Sequence, residues 1–377
     1  MKTIRDIEHI EGVRVLVRVD FNVPIANGKV ADDFRIRMAF PTIDFLRKKG
    51  AKVILVSHLE STDHDNPTLE PVAKHLQQLG VPVVFVKEYK KAAEIIEHIK
   101  NGDCVLLENL RFFDGEKDND PKFAAELASL ADIYVNDAFP VSHREHASIV
   151  GLPKLIPGYA GLQLEKEILN LSKVFSPSHP FLFILGGAKF ETKLPLLEKF
   201  MSIADIVFVG GALATDFYKE KGYEVGKSRV SEDGFHLERF MSDPKLIIPV
   251  DVLNQKNETR AADGLKPDDI VMDDGPKTMG MLRDQIQKAN FILWNGPLGM
   301  YEGGYRGATL ELARLVAERT SHKGVESIVG GGDTLAAIAQ LGIEDKFTFI
   351  STGGGAMLDF LAKGTLPGIE ALDASGD

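Results

Sequence analysis

Four loops in the first half of this chain set cations, carboxylates and amides directly after apolar runs. Arg18-Val19-Asp20-Phe21-Asn22 closes the run Val13–Val19, and Ser57-His58-Leu59 follows Lys52–Val56. Glu108-Asn109-Leu110-Arg111 follows Val105–Leu107, and Asn136-Asp137 leads to His143-Arg144 after Ile133–Val135. Arginine suits phosphate and carboxylate because its planar fork donates two parallel hydrogen bonds. A histidine at a strand's carboxyl end can take either anion, and Asp20 and Asn22 can hydrogen-bond hydroxyls. Arg35, in Asp32-Asp33-Phe34-Arg35, stands before a helix, where a cation opposes the macrodipole unless an anion is present. Each feature has an ordinary alternative. Asp20 and Asn22 can form a self-bonded turn, Arg35 can pair with Asp32 or Asp33 at the surface, and a lone His58 can be structural. Together the four loops describe a receptor for a small anion, provided that they close neighbouring strands of one sheet.

The second half is equipped differently. Every Gly-Gly pair lies beyond residue 180, at Gly186-Gly187, Gly210-Gly211, Gly303-Gly304, Gly330-Gly331-Gly332 and Gly353-Gly354-Gly355. Glycines after strands let backbone amides approach an anion, as a nucleotide's phosphates require. Lys189 and Lys193 share a helix face if the helix has begun, and a polyphosphate between them would relieve their repulsion. Asp333 opens a helix after three glycines, where it can cap the helix or hold a Mg²⁺ that bridges phosphates. Trp294 to Glu302 offers an apolar wall for a base and a carboxylate for ribose hydroxyls. The segment Gly222–Ser228 imitates a P-loop, but its spacer is one residue short and no buried strand precedes it, so it reads as a coincidental loop. No GxGxxG follows the first strand.

The elements that must position these residues alternate along the chain. Strands are expected at Val13–Val19, Lys52–Val56, Val83–Val86, Val105–Leu107, Ile133–Val135, Phe181–Leu185, Ile206–Val209, Leu246–Ile248, Phe291–Trp294, Ser327–Val329 and Phe347–Ile350. Helices are expected at Thr68–Leu79, Lys90–Lys100, Pro121–Leu130, Leu194–Met201, Met281–Ala289, Thr309–Arg319 and Thr334–Gln340. Continuous apolar strands between helices indicate an α/β protein with parallel sheets. Eleven strands exceed one comfortable sheet, so two are expected, divided near Leu162–Ser178, where the helical stretch Gln163–Lys173 meets a Ser/Pro-rich turn. The net charge of −11 disfavours binding nucleic acid through bulk charge. The single Cys104 excludes an internal disulfide framework and reads as a buried, inert thiol. No apolar run approaches a membrane span, and charges crowd the first residues where a signal peptide needs an apolar core, so a cytoplasmic protein is expected.

Read together, the motifs resemble those of the phosphoglycerate kinase family from Val13 to Leu372. The resemblance is carried, in family order, by Arg18–Pro24, Arg35-Ile36 with Pro41-Thr42-Ile43, Ser57-His58-Leu59, Leu107–Arg111, Tyr134–Phe139 with His143-Arg144, Leu185–Lys189, Trp294–Glu302, Gly330–Thr334 and Ser351–Ala356. It implies two Rossmann-like parallel-sheet domains joined by a hinge. Residues 1–162 would bind 3-phosphoglycerate and 163–359 the nucleotide, with the tail from about 360 to 377 packed back on the first domain. It implies reversible, Mg²⁺-dependent phosphoryl transfer between ATP and 3-phosphoglycerate, giving ADP and 1,3-bisphosphoglycerate, in a glycolytic monomer with no nucleic-acid or membrane partner. By resemblance, Asp20, Asn22, Arg35, His58, Arg111 and Arg144 bind the acid. Gly187, Lys193, Gly211, Asn295, Glu302, Gly331, Gly332, Asp333 and Thr334 serve the nucleotide, with Asp333 on Mg²⁺. Arg35, Lys189 and Lys193, with the backbone of Gly353 and Gly354, stabilise the phosphoryl group in flight.

The chain departs from that pattern in places. Glu60, Ser61 and Thr62 stand where the family usually has Gly-Arg-Pro, Pro140-Val141 where it has Gly-Thr, and Ala308-Thr309 where it has Gly-Thr. The missing arginine predicts weaker substrate binding or a substitute cation such as Arg37, and Ser61→Arg should lower KM. Two other readings fit the same loops. Another α/β small-acid or sugar kinase would show itself by its acceptor, and a non-catalytic nucleotide-binding relative would bind ATP without turnover.

Overall fold

Stretches such as Val15-Leu16-Val17 and Phe181–Leu185 are apolar at every position, so they are stable only where both faces are covered. The computed structural model describes residues 1–60, 67–232 and 234–375 and forms two compact units, Met1–Leu169 with Lys363–Asp377 and Asn170–Ala362. The sheet of the first unit contains β1 (Arg14–Arg18), β2 (Lys52–Val56), β3 (Val83–Val86), β4 (Cys104–Leu107), β5 (Ile133–Asn136) and β6 (Gly158–Ala160). Its order is β3-β4-β2-β1-β5-β6, and every pairing is parallel. The sheet of the second unit contains β7 (Phe181–Leu185), β8 (Ile206–Val209), β9 (Leu246–Ile247), β13 (Phe291–Asn295), β14 (Glu326–Gly330) and β15 (Phe349–Ile350), again all parallel. Its order is β9-β8-β7-β13-β14-β15. A small antiparallel sheet, β10 (Asp251–Asn254), β11 (Thr259–Ala261) and β12 (Val271–Asp274), completes it.

The helices between strands follow the alternation. In the first unit they include α1 (Phe34–Lys48), α2 (Glu70–Gln78), α3 (Ala92–His98), α4 (Pro121–Ala128) and α5 (Leu162–Ser172), and the division between the units falls within α5. In the second they include α6 (Phe190–Ile203), α7 (Ala212–Glu220), α8 (Pro276–Lys288), α9 (Gly307–Thr320), α10 (Gly332–Leu341) and α11 (Gly355–Lys363). The last helix, α12 (Pro367–Ala374), packs on Ala147–Gly151 and β6 of the first unit, and the Met1 ammonium pairs with Asp373 at 3.0 Å. No helix among the described residues is long and apolar enough to cross a membrane.

All eleven expected strands form, within two residues at their ends. The omissions have local causes. α1 carries Pro41 inside it, which interrupts the helical pattern that a sequence reading follows, whereas the helix expected at Leu194–Met201 forms through Pro195 and begins four residues earlier as α6. Arg35 therefore lies in the first turn of α1, not before a helix. β10 and β12 hold Asp251, Asp273 and Asp274, residues of poor strand propensity, so their pattern is faint. Cys104 is buried on β4, and burial pushes its thiol up to about 12, as an inert thiol requires.

Candidate functional site

In the first unit the order β4-β2-β1-β5 brings the four polar loops to neighbouring carboxyl ends, where ligands bind in open parallel sheets. Arg18 is the foundation. It is fully buried at the end of β1, and Nε donates to Ser148 Oγ at 2.9 Å, Nη1 to the Val19 carbonyl and Nη2 to His58 Nδ1 at 3.0 Å. Ser148 Oγ in turn donates to the buried Glu116 at 2.7 Å. Burial, then the fields of Arg18, Arg111, Arg144 and Arg35, hold His58 well below the ordinary histidine range. Arginine can only donate, so Nδ1 accepts and the ring proton sits on Nε2. His58 is thus a neutral donor rather than one of four cations.

The other side chains are arranged as carboxylate-paired arginines. Arg35 pairs with Asp20 at 2.8 Å, neither with Asp32 nor with Asp33. Asp20 also accepts from the Asn22 amide at 3.2 Å, and Asn22 Oδ1 accepts from the Glu60 amide at 3.0 Å. Arg111 and Arg144 both meet Glu60. His146, 3.4 Å from Arg111, is depressed to about 4 by burial first and then by Arg111 and Arg144. Asn109 fixes two loops at once, donating to the carbonyls of Leu59 and Pro67 and accepting from the amides of Leu59 and Arg111. Arg37 pairs with Asp33 at 2.8 Å, two residues from Arg35 on α1. Ser61 and Thr62 lie outside the described residues. The sequence singled out Arg18 and Asn109 only as motif members and Glu60 only as a departure from the family pattern. The signal that could have found Arg18 was a charge ending a strand buried on both faces.

In the second unit the glycine turns close neighbouring strands. Gly187, Gly211, Gly296, Gly331 and Gly354 all have positive φ. Gly211, with φ +64, admits no side chain, because a Cβ would lie 2.9 Å from the Pro297 carbonyl and 3.0 Å from the Gly187 amide nitrogen. Of these, Gly187 and Gly211 border a cavity of about 250 Å³ lined also by Ala188, Leu298, Met300, Tyr301, Glu302 and Asp333, with Ile270, Val271 and Met272 as further wall. Trp294 is not that wall. It is buried in the core and donates to the Gly296 carbonyl at 2.8 Å. Gly331 occupies the N-cap of α10, and Asp333 lies inside its first turn, so Asp333 is not the capping residue. Burial, then Glu302, raises the Asp333 carboxyl, with Lys193 opposing. Thr334 Oγ1 accepts from the Gly296 amide at 3.1 Å, tying α10 to the end of β13.

The two lysines separate. Lys189 is exposed just before α6, while Lys193 is buried and donates to the Gly186 carbonyl. Burial pulls Lys193 down to about 8, partly offset by Asp333. Asn295 is buried, and Gly332 and Gly354 are exposed. Gly353 is buried, its amide donating to Ser351 Oγ at 3.1 Å. The Gly222–Ser228 segment holds no phosphate cradle. Lys227 pairs with Asp268, and Ser228 Oγ accepts from the Val271 amide.

Residues 4–364 match the model of a family described as phosphoglycerate kinase. A phosphoglycerate kinase of Dictyoglomus turgidum is 46% identical, with 98% of each chain covered. One of Thermosipho africanus is 44% identical over 98% of this chain and 97% of that one. Among solved structures, a phosphoglycerate kinase from Coxiella burnetii is 33% identical with a TM-score of 0.85, covering 99% of this chain and 98% of that one.

Proposed function

This chain belongs to the phosphoglycerate kinase family, and on that premise we propose how its residues divide the reaction. The enzyme is a kinase of glycolysis that transfers a phosphoryl group reversibly between ATP and the carboxyl group of 3-phosphoglycerate. In this reading the first unit takes the acid. Arg35, Arg111 and Arg144 supply charge, the neutral His58 donates through Nε2, and Asp20 and Asn22 meet the polar groups. The second unit takes the nucleotide in its 250 Å³ cavity, with phosphates over the turns at Gly187, Gly211, Gly331 and Gly332. Asn295 and Thr334 hold those turns, and Glu302 meets the ribose. The observation that carries this division is the contrast between the sheets: arginine loops close one set of strands, glycine turns the other.

Phosphoryl transfer needs positioning and charge stabilisation more than covalent help. The acceptor carboxylate is already ionised at neutral pH, so no general base is required. Arg35 and Lys189 neutralise the phosphoryl group as it moves, with Lys193 and the Gly354 amide as further donors and the Gly353 amide, now on Ser351 Oγ, available only by exchanging that bond. The residues present suit Mg²⁺, since the Asp333 carboxylate lines the cavity. Mg²⁺ typically uses one or two carboxylates and completes its shell with phosphate oxygens and water. When bound it would offset phosphate charge, and Asp333 would hold it. We further propose that the units close about α5 as ligands bind, excluding water that would otherwise hydrolyse ATP, and that the enzyme works as a cytoplasmic monomer.

The test is a coupled assay of MgATP-dependent phosphorylation of 3-phosphoglycerate, run beside Arg35→Ala. The wild type should turn over, and the variant should lose at least about a hundredfold in kcat. A variant as active as wild type removes Arg35 from the mechanism.

A further inference from the structure

Resting on that reading of the first unit, we infer that Glu60 is an internal anion that occupies Arg111 and Arg144, so that the acid substrate enters by displacing a carboxylate. One oxygen, Oε1, lies 2.9 Å from Nη2 and 3.1 Å from Nε of Arg111, and 3.5 Å from Nη1 of Arg144. It bridges guanidinium groups from the loops after two different strands, β4 and β5, which is what an oxygen of a bound phosphate or carboxylate would do.

The contact is asymmetric, and the asymmetry decides which partner moves. The Arg111 side chain has 0% exposure and its loop is pinned by Asn109, whereas the Glu60 side chain is 41% exposed. The glutamate has water to turn into, while the Arg111 side chain is enclosed on all sides and has none. The Glu60 backbone is anchored, with its amide on Asn22 Oδ1 at 3.0 Å and the preceding Leu59 amide on Asn109 Oδ1 at 3.0 Å. A fixed backbone thus presents a movable carboxylate to two fixed or half-fixed cations. Asn22 and Arg111 belong to the proposed acid site, so the carboxylate sits inside that site rather than beside it. Half-exposed ion pairs add little to folding, so this one acts chiefly on who occupies the arginines.

Two consequences follow from the displacement. The apparent affinity for the acid is lowered by the fraction of molecules in which Glu60 holds the arginines. The factor is roughly two- to fivefold for a pair this exposed. The device also selects by charge. A dianionic phosphoryl group replaces one carboxylate with a gain, whereas a monocarboxylate only exchanges like for like. Glu60 is therefore a specificity residue against small singly charged acids.

The experiment titrates nucleotide-free, full-length wild type, Glu60→Gln and Glu60→Ala with 3-phosphoglycerate, and separately with inorganic sulfate, by calorimetry. Both variants should bind 3-phosphoglycerate about two- to fivefold more tightly and sulfate more tightly than wild type, while MgATP affinity stays the same. Equal or weaker binding of both anions by both variants overturns the inference and makes Glu60 a positioning residue for Arg111 and Arg144. The sulfate titration needs no turnover. A wild type that fails to phosphorylate 3-phosphoglycerate refutes the kinase reading and leaves the sulfate comparison to decide the role of Glu60.

Discussion

Replacing Lys193 by methionine should separate what this residue does for the fold from what it does for the reaction. Its ammonium is buried beneath the glycine turns, donating to the Gly186 carbonyl, and burial pulls its pKa from 10.5 to about 8 against the opposing field of Asp333. Between pH 8 and pH 10.5 the unfolded chain still holds this proton and the folded chain has released it. The unfolded state then binds more protons, so stability rises with pH across that window. The contribution is complete above the unfolded value and lost as pH falls through the folded one. The gap of 10.5 − 8 = 2.5 units amounts to about 3 kcal/mol, on the order of 1.4 kcal/mol per unit. At pH 7 the folded enzyme therefore carries a buried cation that costs about that much. Methionine keeps most of the aliphatic volume and removes the charge, but loses a hydrogen bond worth about 1–2 kcal/mol. The variant should be more stable than wild type by about 1–2 kcal/mol at pH 7, while kcat falls by at least about a hundredfold.

The chain contains its own reporter for this measurement. Trp294 is the single tryptophan and is fully buried in the core of the second unit, which also holds Lys193. Urea unfolding followed by tryptophan fluorescence thus reads the unit in question. Between pH 7 and pH 10 the difference should shift by about 2–3 kcal/mol in favour of the wild type, removing or reversing the advantage of Lys193→Met, because only the wild type titrates at this position. Parallel pH dependences, or a constant deficit in the variant, would refute the claim that Lys193 is a desolvated charge.

Two further outcomes test the geometry directly. Because His58 is already neutral and donates through Nε2, Glu is the wrong replacement and Gln the right one: His58→Gln should bind 3-phosphoglycerate at least tenfold more tightly than His58→Ala. Equal loss in both variants, measured by calorimetry, would deny His58 its donor role. Gly211→Ala forces a side chain onto φ +64 and against the Pro297 carbonyl, so it should destabilise the second unit by about 1–3 kcal/mol and weaken MgATP binding. A variant with wild-type urea midpoint and ATP affinity would show that this turn is not the constrained cradle described.

The sequence disclosed what depends on runs of residues and concealed what depends on folding them together. Apolar strands and glycine pairs are consecutive in the chain, so β1 to β5 and the turns at Gly187, Gly211 and Gly331 could be read directly. The pairing of Arg35 with Asp20 spans fifteen residues, and that of Arg111 with Glu60 spans fifty-one, so no local window contains them. The neutrality of His58 follows from Arg18 accepting nothing, a fact of neighbouring strands rather than of the segment Ser57-His58-Leu59. The wall from Ile270 to Met272 was missed because β12 ends in two aspartates and looks like a loop.

The contrast between the units is a contrast in how an anion is held. In the first unit the donors are side-chain cations, and each exposed one has a carboxylate beside it: Asp20 on Arg35, Glu60 on Arg144. On the proposed assignment a ligand there exchanges one anion for another, so affinity is a small difference between large electrostatic terms and is sensitive to salt and to single charges. In the second unit the donors are backbone amides at turns that only glycine accommodates, with one buried lysine beneath them. Amides cannot be neutralised or turned away, so affinity there depends on the turns keeping their shape. A change of charge therefore alters the first unit without touching its fold, while a change of one glycine alters the second unit through its fold. On the proposed roles, Glu60 falls in the unit where binding is tuned by charge rather than built into the backbone, so exchanging it should alter affinity and leave the fold in place.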